Sequence, residues 1–321
     1  MNVLIWHVHG SWTTAFVQGR HTYVLPVVDG RGPDGRGRAR TWDWPSGAVE
    51  RTPEQLATTD IDVVVVQRPE DEMLARAWLG GRVPGRDIPM VWLEHNAPQG
   101  RIDEMRHPAA DRTDCVVVHV THTNALLWDC GATPVRVIEH GIVDPGERWS
   151  GEVERAGVVV NEPVRRNRVV GADLLPRFAA EVGIDLFGMG TAALAERLPG
   201  ARAADVPQAQ MHTELARRRV YLHPFRWTSL GLSLLEAMHL GMPIVALATT
   251  EVPMAVPPGA GVVTNDLAEA AAAVRTFVDD PEAAALAGKQ ARRAALGRYG
   301  LGRFLDDWDR LLGELTDRRL T

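Results

Sequence analysis

The chain has 321 residues, 45% apolar and 24% charged, which suits a globular protein with room for two domains of ordinary size. Its net charge of −6 excludes a general nucleic-acid binder, which needs a basic surface, and no apolar run reaches the length of a membrane span. Its two cysteines, Cys115 and Cys130, have neither metal-ligand spacing nor the density of a disulfide framework, so a reducing, cytoplasmic setting is expected.

The first stretch, Val3 to His7, reads as a buried strand, and no leader peptide is expected before it. Gly10 and Ser11 follow, then a helix beginning near Thr13 and running to Gln18. A strand, a glycine turn and a helix N-terminus form an anion-binding arrangement, which makes Gly10 and Ser11 candidates for lining a site. Tyr23 to Val28 is a second strand. Asp29 to Arg40 (DGRGPDGRGRAR) has no apolar period and is expected to be a mobile, solvated loop. A short helix starts at Pro53, and Ile61 to Val66 is the β-branched run of a strand buried on both faces. Asp71 to Leu79 is helical. Pro89 to Leu93 is a strand that delivers Glu94, His95 and Asn96 to its carboxyl end, where open α/β sheets bind ligands. Cys115 to Val120 is another strand, and Thr121 caps a helix ending near Gly131. Val135 to Ile138 closes the first half, and Gly141 is expected to serve a tight turn.

Residues 144–155 (DPGERWSGEVER) read as a linker. A second sheet starts at Gly157. Its first strand runs into a loop with Arg165, Arg166 and Arg168, whose guanidinium groups suit bidentate pairing with phosphate oxygens. Ala172 to Val182 is helical. The strand Ile184 to Phe187 ends in Gly188-Met189-Gly190, where two glycines let a nucleotide base approach the backbone. Short helices span Ala192 to Arg197 and Gln208 to Arg217.

The most informative stretch is Arg219 to Leu247. It predicts a strand at Val220-Tyr221-Leu222, a loop from Phe225 to Leu230, and a helix with an apolar stripe of Leu232, Leu235, Met238 and Leu240. Gly231 is expected to allow a tight turn at the helix start, Gly241 is its C-cap, and Ile244 to Leu247 is the next buried strand. The one charge in this apolar unit, Glu236, is a carboxylate suited to accept hydrogen bonds from sugar hydroxyls. Thr249, Thr250 and Glu251 follow at the next strand end. Leu267 to Val278 and Pro281 to Leu296 are alanine-rich scaffold helices, and Tyr299 to Leu315 is an amphipathic final helix.

The run Thr228-Ser229-Leu230-Gly231-Leu232-Ser233-Leu234-Leu235-Glu236-Ala237-Met238, followed by Gly241-Met242-Pro243-Ile244-Val245, resembles the signature E-G-F-G-L-P-x-L-E-A-M-A-x-G-x-P-V-V of family 4 glycosyltransferases. The resemblance is strongest from 157 to 300. It implies a GT-B fold: two Rossmann-like doubly wound parallel-sheet domains facing a cleft, with boundaries at 1–147 and 148–302, and a segment 303–321 packing back on the first domain. It also implies transfer of a sugar from a UDP-, GDP- or ADP-linked donor to a small-molecule or glycan acceptor, with retention and without a metal or other cofactor. The absence of an obvious D-x-D metal motif with its carboxylates in the expected cleft is consistent with that last point. Membrane contact would be peripheral at most.

On this resemblance Glu236 binds the nucleotide ribose, and Thr228 stands where the family has a glutamate that contacts the donor sugar. His95 faces the donor sugar. Arg165, Arg166 and Arg168 supply the charge that holds the departing diphosphate. Gly10, Ser11, Gly188, Gly190, Ser229, Leu230, Gly231, Thr250 and Glu251 complete the donor site. Two other readings stay open: a degenerate transferase that only binds a sugar nucleotide or supports a partner, motivated by Thr228, and a nucleotide-sugar epimerase on the same fold.

Overall fold

The structure is a computed structural model that describes residues 1–317; the last four residues of the predicted segment 303–321 lie outside the described residues. The chain forms two compact units. One is Met1–Val143 together with the segment that starts at Leu301; the other is Asp144–Gly300. Among the described residues no helix is long and apolar enough to cross a membrane.

The first unit carries seven strands: β1 (Asn2–Ile5), β2 (Thr22–Pro26), β3 (Ala48–Arg51), β4 (Val63–Val66), β5 (Met90–Glu94), β6 (Val116–His119) and β7 (Val135–Val137). All pair in parallel, in the order β3-β2-β1-β4-β5-β6-β7. The order reverses between β1 and β4, the topological switch point where doubly wound sheets open a crevice. Val63 to Val66 are all fully buried, as a strand covered by helices on both faces requires. The closing helix, Leu301–Asp317, buries Phe304, Trp308, Leu311 and Leu312. Trp308 meets Phe16 edge-on, with ring centroids 4.9 Å apart.

Three sequence expectations change here. The first helix spans Gly10–Phe16, starting at the glycine itself. The segment 29–40 is tied down: Arg31 pairs bidentately with Glu50 at 2.7 and 3.0 Å, Glu50 also accepts the Arg38 backbone N–H, and Trp6 Nε1 donates to the Asp34 carbonyl. The partner strand β3 has no apolar run to announce it, so nothing in the sequence showed where those arginines would find a carboxylate. Gly141 is not in the left-handed region; a Cβ there would overlap Phe304, so close approach and not a turn demands glycine.

The second unit carries β8 (Val153–Val159), β9 (Ile184–Phe187), β10 (Arg202–Ala204), β11 (Arg218–His223), β12 (Ile244–Ala246) and β13 (Gly261–Val263). They too are all parallel, in the order β10-β9-β8-β11-β12-β13, with the switch point between β8 and β11. The predicted linker is mostly not one. Its end is the start of β8, and before that the Trp149 backbone N–H donates to Leu240 and its indole N–H to the Arg218 carbonyl.

The helix Leu232–Leu240 is buried from Leu234 to Leu240 on every side, so the four-residue stripe read from the sequence understates it. Leu232 is only half-buried. Gly241 ends the helix in the left-handed conformation (φ 85°), the C-cap geometry that glycine adopts without penalty. Asp266 and Asp280 cap the two alanine-rich helices, Leu267–Asp279 and Pro281–Tyr299, each accepting two backbone N–H groups.

Candidate active site

In the second unit, four strands deliver candidate residues to one edge of the sheet. The loop after β8 and the loop after β11 flank the switch point and are joined directly. Arg226 and Trp227 donate their backbone N–H groups to the Val169 carbonyl, and the Arg226 guanidinium donates to the Arg168 carbonyl. The loop after β9 joins the same group: Glu162 N–H donates to the Met189 carbonyl at 2.8 Å, and Met189 N–H to Asn161 Oδ1 at 3.0 Å. A Cβ on Gly188, which has φ 118°, would lie 2.5 Å from the Val160 carbonyl, so only glycine lets these loops close. Gly190 faces Glu162 across the same junction.

The three arginines of this loop are not equivalent. Arg165 is exposed, with Glu162 3.9 Å away. Arg168 is exposed and pairs with Asp173 at 3.2 Å, a carboxylate that Arg226 already grips at 2.6 and 3.0 Å. Arg166 is half-buried and has no ion-pair or hydrogen-bond partner for its guanidinium among the described residues. Burial, and then the neighbouring charge of Arg165, press its pKa below the usual arginine range.

Of the residues after β11, Ser229 and Leu230 are buried, while Thr228 and Gly231 are partly open. Gly231 has an extended backbone (φ −68°, ψ 120°), so it is not the tight turn expected. A Cβ there would come 2.6 Å from the His223 ring. His223 is fully buried, stacks on Phe225 at 4.2 Å, and is held neutral by burial, its pKa pushed down to about 3. After β12, Thr250 has φ 47°, in the left-handed region. Glu251 is fully buried against Arg298 at 3.4 Å, on the helix Pro281–Tyr299, so it is Thr250 that stays partly open at this strand end.

Glu236 is buried, retaining 4% of its surface, and both its oxygens are engaged. Gln208 Nε2 donates to Oε1 at 2.7 Å and His212 Nε2 approaches Oε2 at 3.1 Å. Gln208 and His212 stand four residues apart on the helix Gln208–Ala216 and so share a face. Sequence reading marked that helix but not these two residues; a polar pair at i, i+4 on a helix flanking the signature was the available signal.

In the first unit the candidates gather at the ends of β1, β4 and β5. His95 Nε2 lies 2.9 Å from Gln67 Oε1, and Gln67 Nε2 donates to the Trp6 carbonyl at 2.7 Å. The His9 ring lies against His95, tilted by 45° with ring centroids 4.0 Å apart, and Trp12 meets the His95 ring edge-on at 5.3 Å. Burial holds His95 well below the ordinary histidine pKa and pushes His9 down to about 4; nearby positive charge acts the same way. His140 is buried with no hydrogen-bond partner on either ring nitrogen, and its pKa falls to about 3. Gly10 lies under the Trp42 ring, which a Cβ would strike. Glu94 faces away from this group: it accepts the Asn96 backbone N–H and approaches His107 at 3.2 Å.

Two all-parallel Rossmann sheets, with polar and basic residues at their switch points, are the elements of the GT-B fold. Residues 204–294 match the family Glycosyl transferases group 1. No curated protein sequence matches the chain. Among solved structures, it is similar to sucrose-phosphate synthase of Thermosynechococcus elongatus, with a TM-score of 0.75, 12% identity and 99% of each chain covered. It is also similar to HepE of Anabaena, solved in complex with UDP, with a TM-score of 0.68, 12% identity, and 98% of this chain and 100% of that one covered. A third is TarM of S. aureus, with a TM-score of 0.60 and 13% identity over 78% of this chain; there the chain spans 55% of the TarM length.

Proposed function

We propose that the protein moves a sugar from a nucleoside-diphosphate sugar to an acceptor hydroxyl, with retention of the anomeric configuration and without a metal ion. The observation that carries the reading is Arg166. A guanidinium taken partly out of water without a counter-charge costs free energy, and a bound diphosphate supplies that charge. As the sugar–phosphate bond breaks, negative charge grows on the leaving oxygen, and a preplaced cation stabilises it more than it stabilises the intact donor.

The other roles follow. Glu236 takes the ribose hydroxyls. The glycines at 188 and 190 let the base lie against the backbone, and Thr228, Ser229, Leu230, Gly231 and Thr250 border the phosphates and sugar. Glu251, buried against Arg298, holds the β12 loop instead of touching the donor. In the first unit Gly10, Ser11 and His95 meet the substrates, with the neutral His95 ring positioning the transferred sugar. The leaving phosphate takes the acceptor proton, so no strongly basic side chain is needed. The free, buried thiols of Cys115 and Cys130 suit a cytoplasmic location.

The test is a melting screen against UDP, GDP, ADP and dTDP and their common sugars. Ligand at about 100 times its Kd adds about 2.7 kcal/mol of stability. One nucleotide series raising Tm, and raising it clearly less in Arg166→Ala at the same concentration, supports the reading; NMR of the product anomer then decides retention. A shift without any transfer or donor hydrolysis would favour the binding-only reading that Thr228 motivates.

A further inference from the structure

We infer that Gln208 and His212 are positioning residues that orient the Glu236 carboxylate for a ribose bearing both hydroxyls, so that the site selects ribonucleotides over deoxyribonucleotides. This rests on the proposed role of Glu236. A carboxylate has two oxygens with two acceptor directions each. Gln208 Nε2 occupies one direction on Oε1 and His212 Nε2 one on Oε2. One direction remains on each oxygen, which matches the two donors of a vicinal diol.

The arrangement also fixes the donors. A carboxylate only accepts, so His212 presents its Nε2–H and Gln208 its amide N–H. With both oxygens anchored from one helix face, Glu236 cannot swing to follow a shifted ligand. An unanchored glutamate side chain would have to be ordered on binding. Hydrogen bonds to a charged group are the stronger class, so losing one ribose hydroxyl is expected to cost about tenfold or more in affinity.

The experiment compares the dissociation constants of UDP, GDP and ADP with those of their 2′-deoxy and 3′-deoxy counterparts, by calorimetry, on the full chain. In the wild type, the nucleotide that binds is expected to bind about tenfold tighter than either deoxy form. His212→Leu and Gln208→Leu are each expected to bring that ratio within about threefold, whereas His212→Gln, which keeps an N–H donor, restores it. Melting of each variant without ligand separates this effect from misfolding, which a ratio between two ligands does not follow.

A wild-type ratio that persists in both leucine variants, or a wild type that binds both sugar forms equally, overturns the inference while the donor reading stands. A wild type that binds dTDP but none of the ribonucleotides also overturns the inference alone, and one that binds no nucleoside diphosphate overturns the donor reading itself, and the inference with it.

Discussion

The Nε2 atom of His95 lies 2.9 Å from Oε1 of Gln67, and that amide cannot turn round, because its nitrogen is committed to the Trp6 carbonyl. Oε1 therefore accepts, His95 Nε2 carries the hydrogen, and Nδ1 keeps its lone pair. Gln67→Leu is expected to lower kcat by about tenfold or more with KM nearly unchanged, since it frees the ring without touching the nucleotide site. Nitrogen NMR of the imidazole should report loss of the single tautomer; an unchanged spectrum would contradict the assignment.

Arg166 and Arg168 should separate cleanly. Arg166→Ala is expected to weaken nucleoside-diphosphate binding by about tenfold to a hundredfold, the range of a charge-assisted contact. Its melting temperature without ligand should hold or rise slightly, because an unpaired, half-buried charge is removed. Arg168→Ala, exposed and tied to Asp173, should change affinity by less than about threefold. Calorimetric titration of both variants decides it, and equal losses would count against the distinction.

Stability should depend on pH through buried histidines. His140 and His223 are pushed down to about 3, and His9 and His119 to about 4, all chiefly by burial. The folded protein thus binds these protons less readily than the unfolded chain, whose histidines titrate near 6.5. Their contribution is complete above about pH 6.5 and is lost as the pH falls through 5 towards the folded values; at pH 5 each group costs about 2 kcal/mol. Tm is expected to drop steeply between pH 6.5 and 5, and a flat profile in calorimetry would refute this.

The close-approach glycines make opposite predictions to an open one. Gly231→Ala drives a methyl to 2.6 Å from the buried His223 ring and should destabilise by about 1–3 kcal/mol. Gly313→Ala, inside the helix Leu301–Asp317 with nothing near, should stabilise by about 0.5–1 kcal/mol. Urea melts of the two variants would reveal both signs.

The strands were legible where residues such as Val63 to Val66 left no other reading, and so was the helix ending at Gly241. Strands β3, β10 and β13 were not, because Ala48–Arg51, Arg202–Ala204 and Gly261–Val263 are edge segments of only three or four residues, too short to show a period. In the site, residue type pointed to three arginines and a glutamate. It could not say which arginine lacked a carboxylate, nor that Glu236 had partners, since Glu162, Asp173, Gln208 and His212 reach them only through the fold. Gly141 and Gly231 were read as turns because sequence shows a missing side chain but not the ring that fills its place.

The helix Leu301–Asp317 lays Phe304 and Trp308 against Trp12 in the unit whose first segment ends at Val143. That unit is therefore discontinuous in the chain. During synthesis the aromatic cluster around Trp12 and Phe16 stays uncovered until the helix Leu301–Asp317 leaves the ribosome, whereas every residue of the Asp144–Gly300 unit has by then emerged. The half that is made second can be finished first, and a nascent chain stalled before residue 301 would expose an aromatic surface that chaperones must shield.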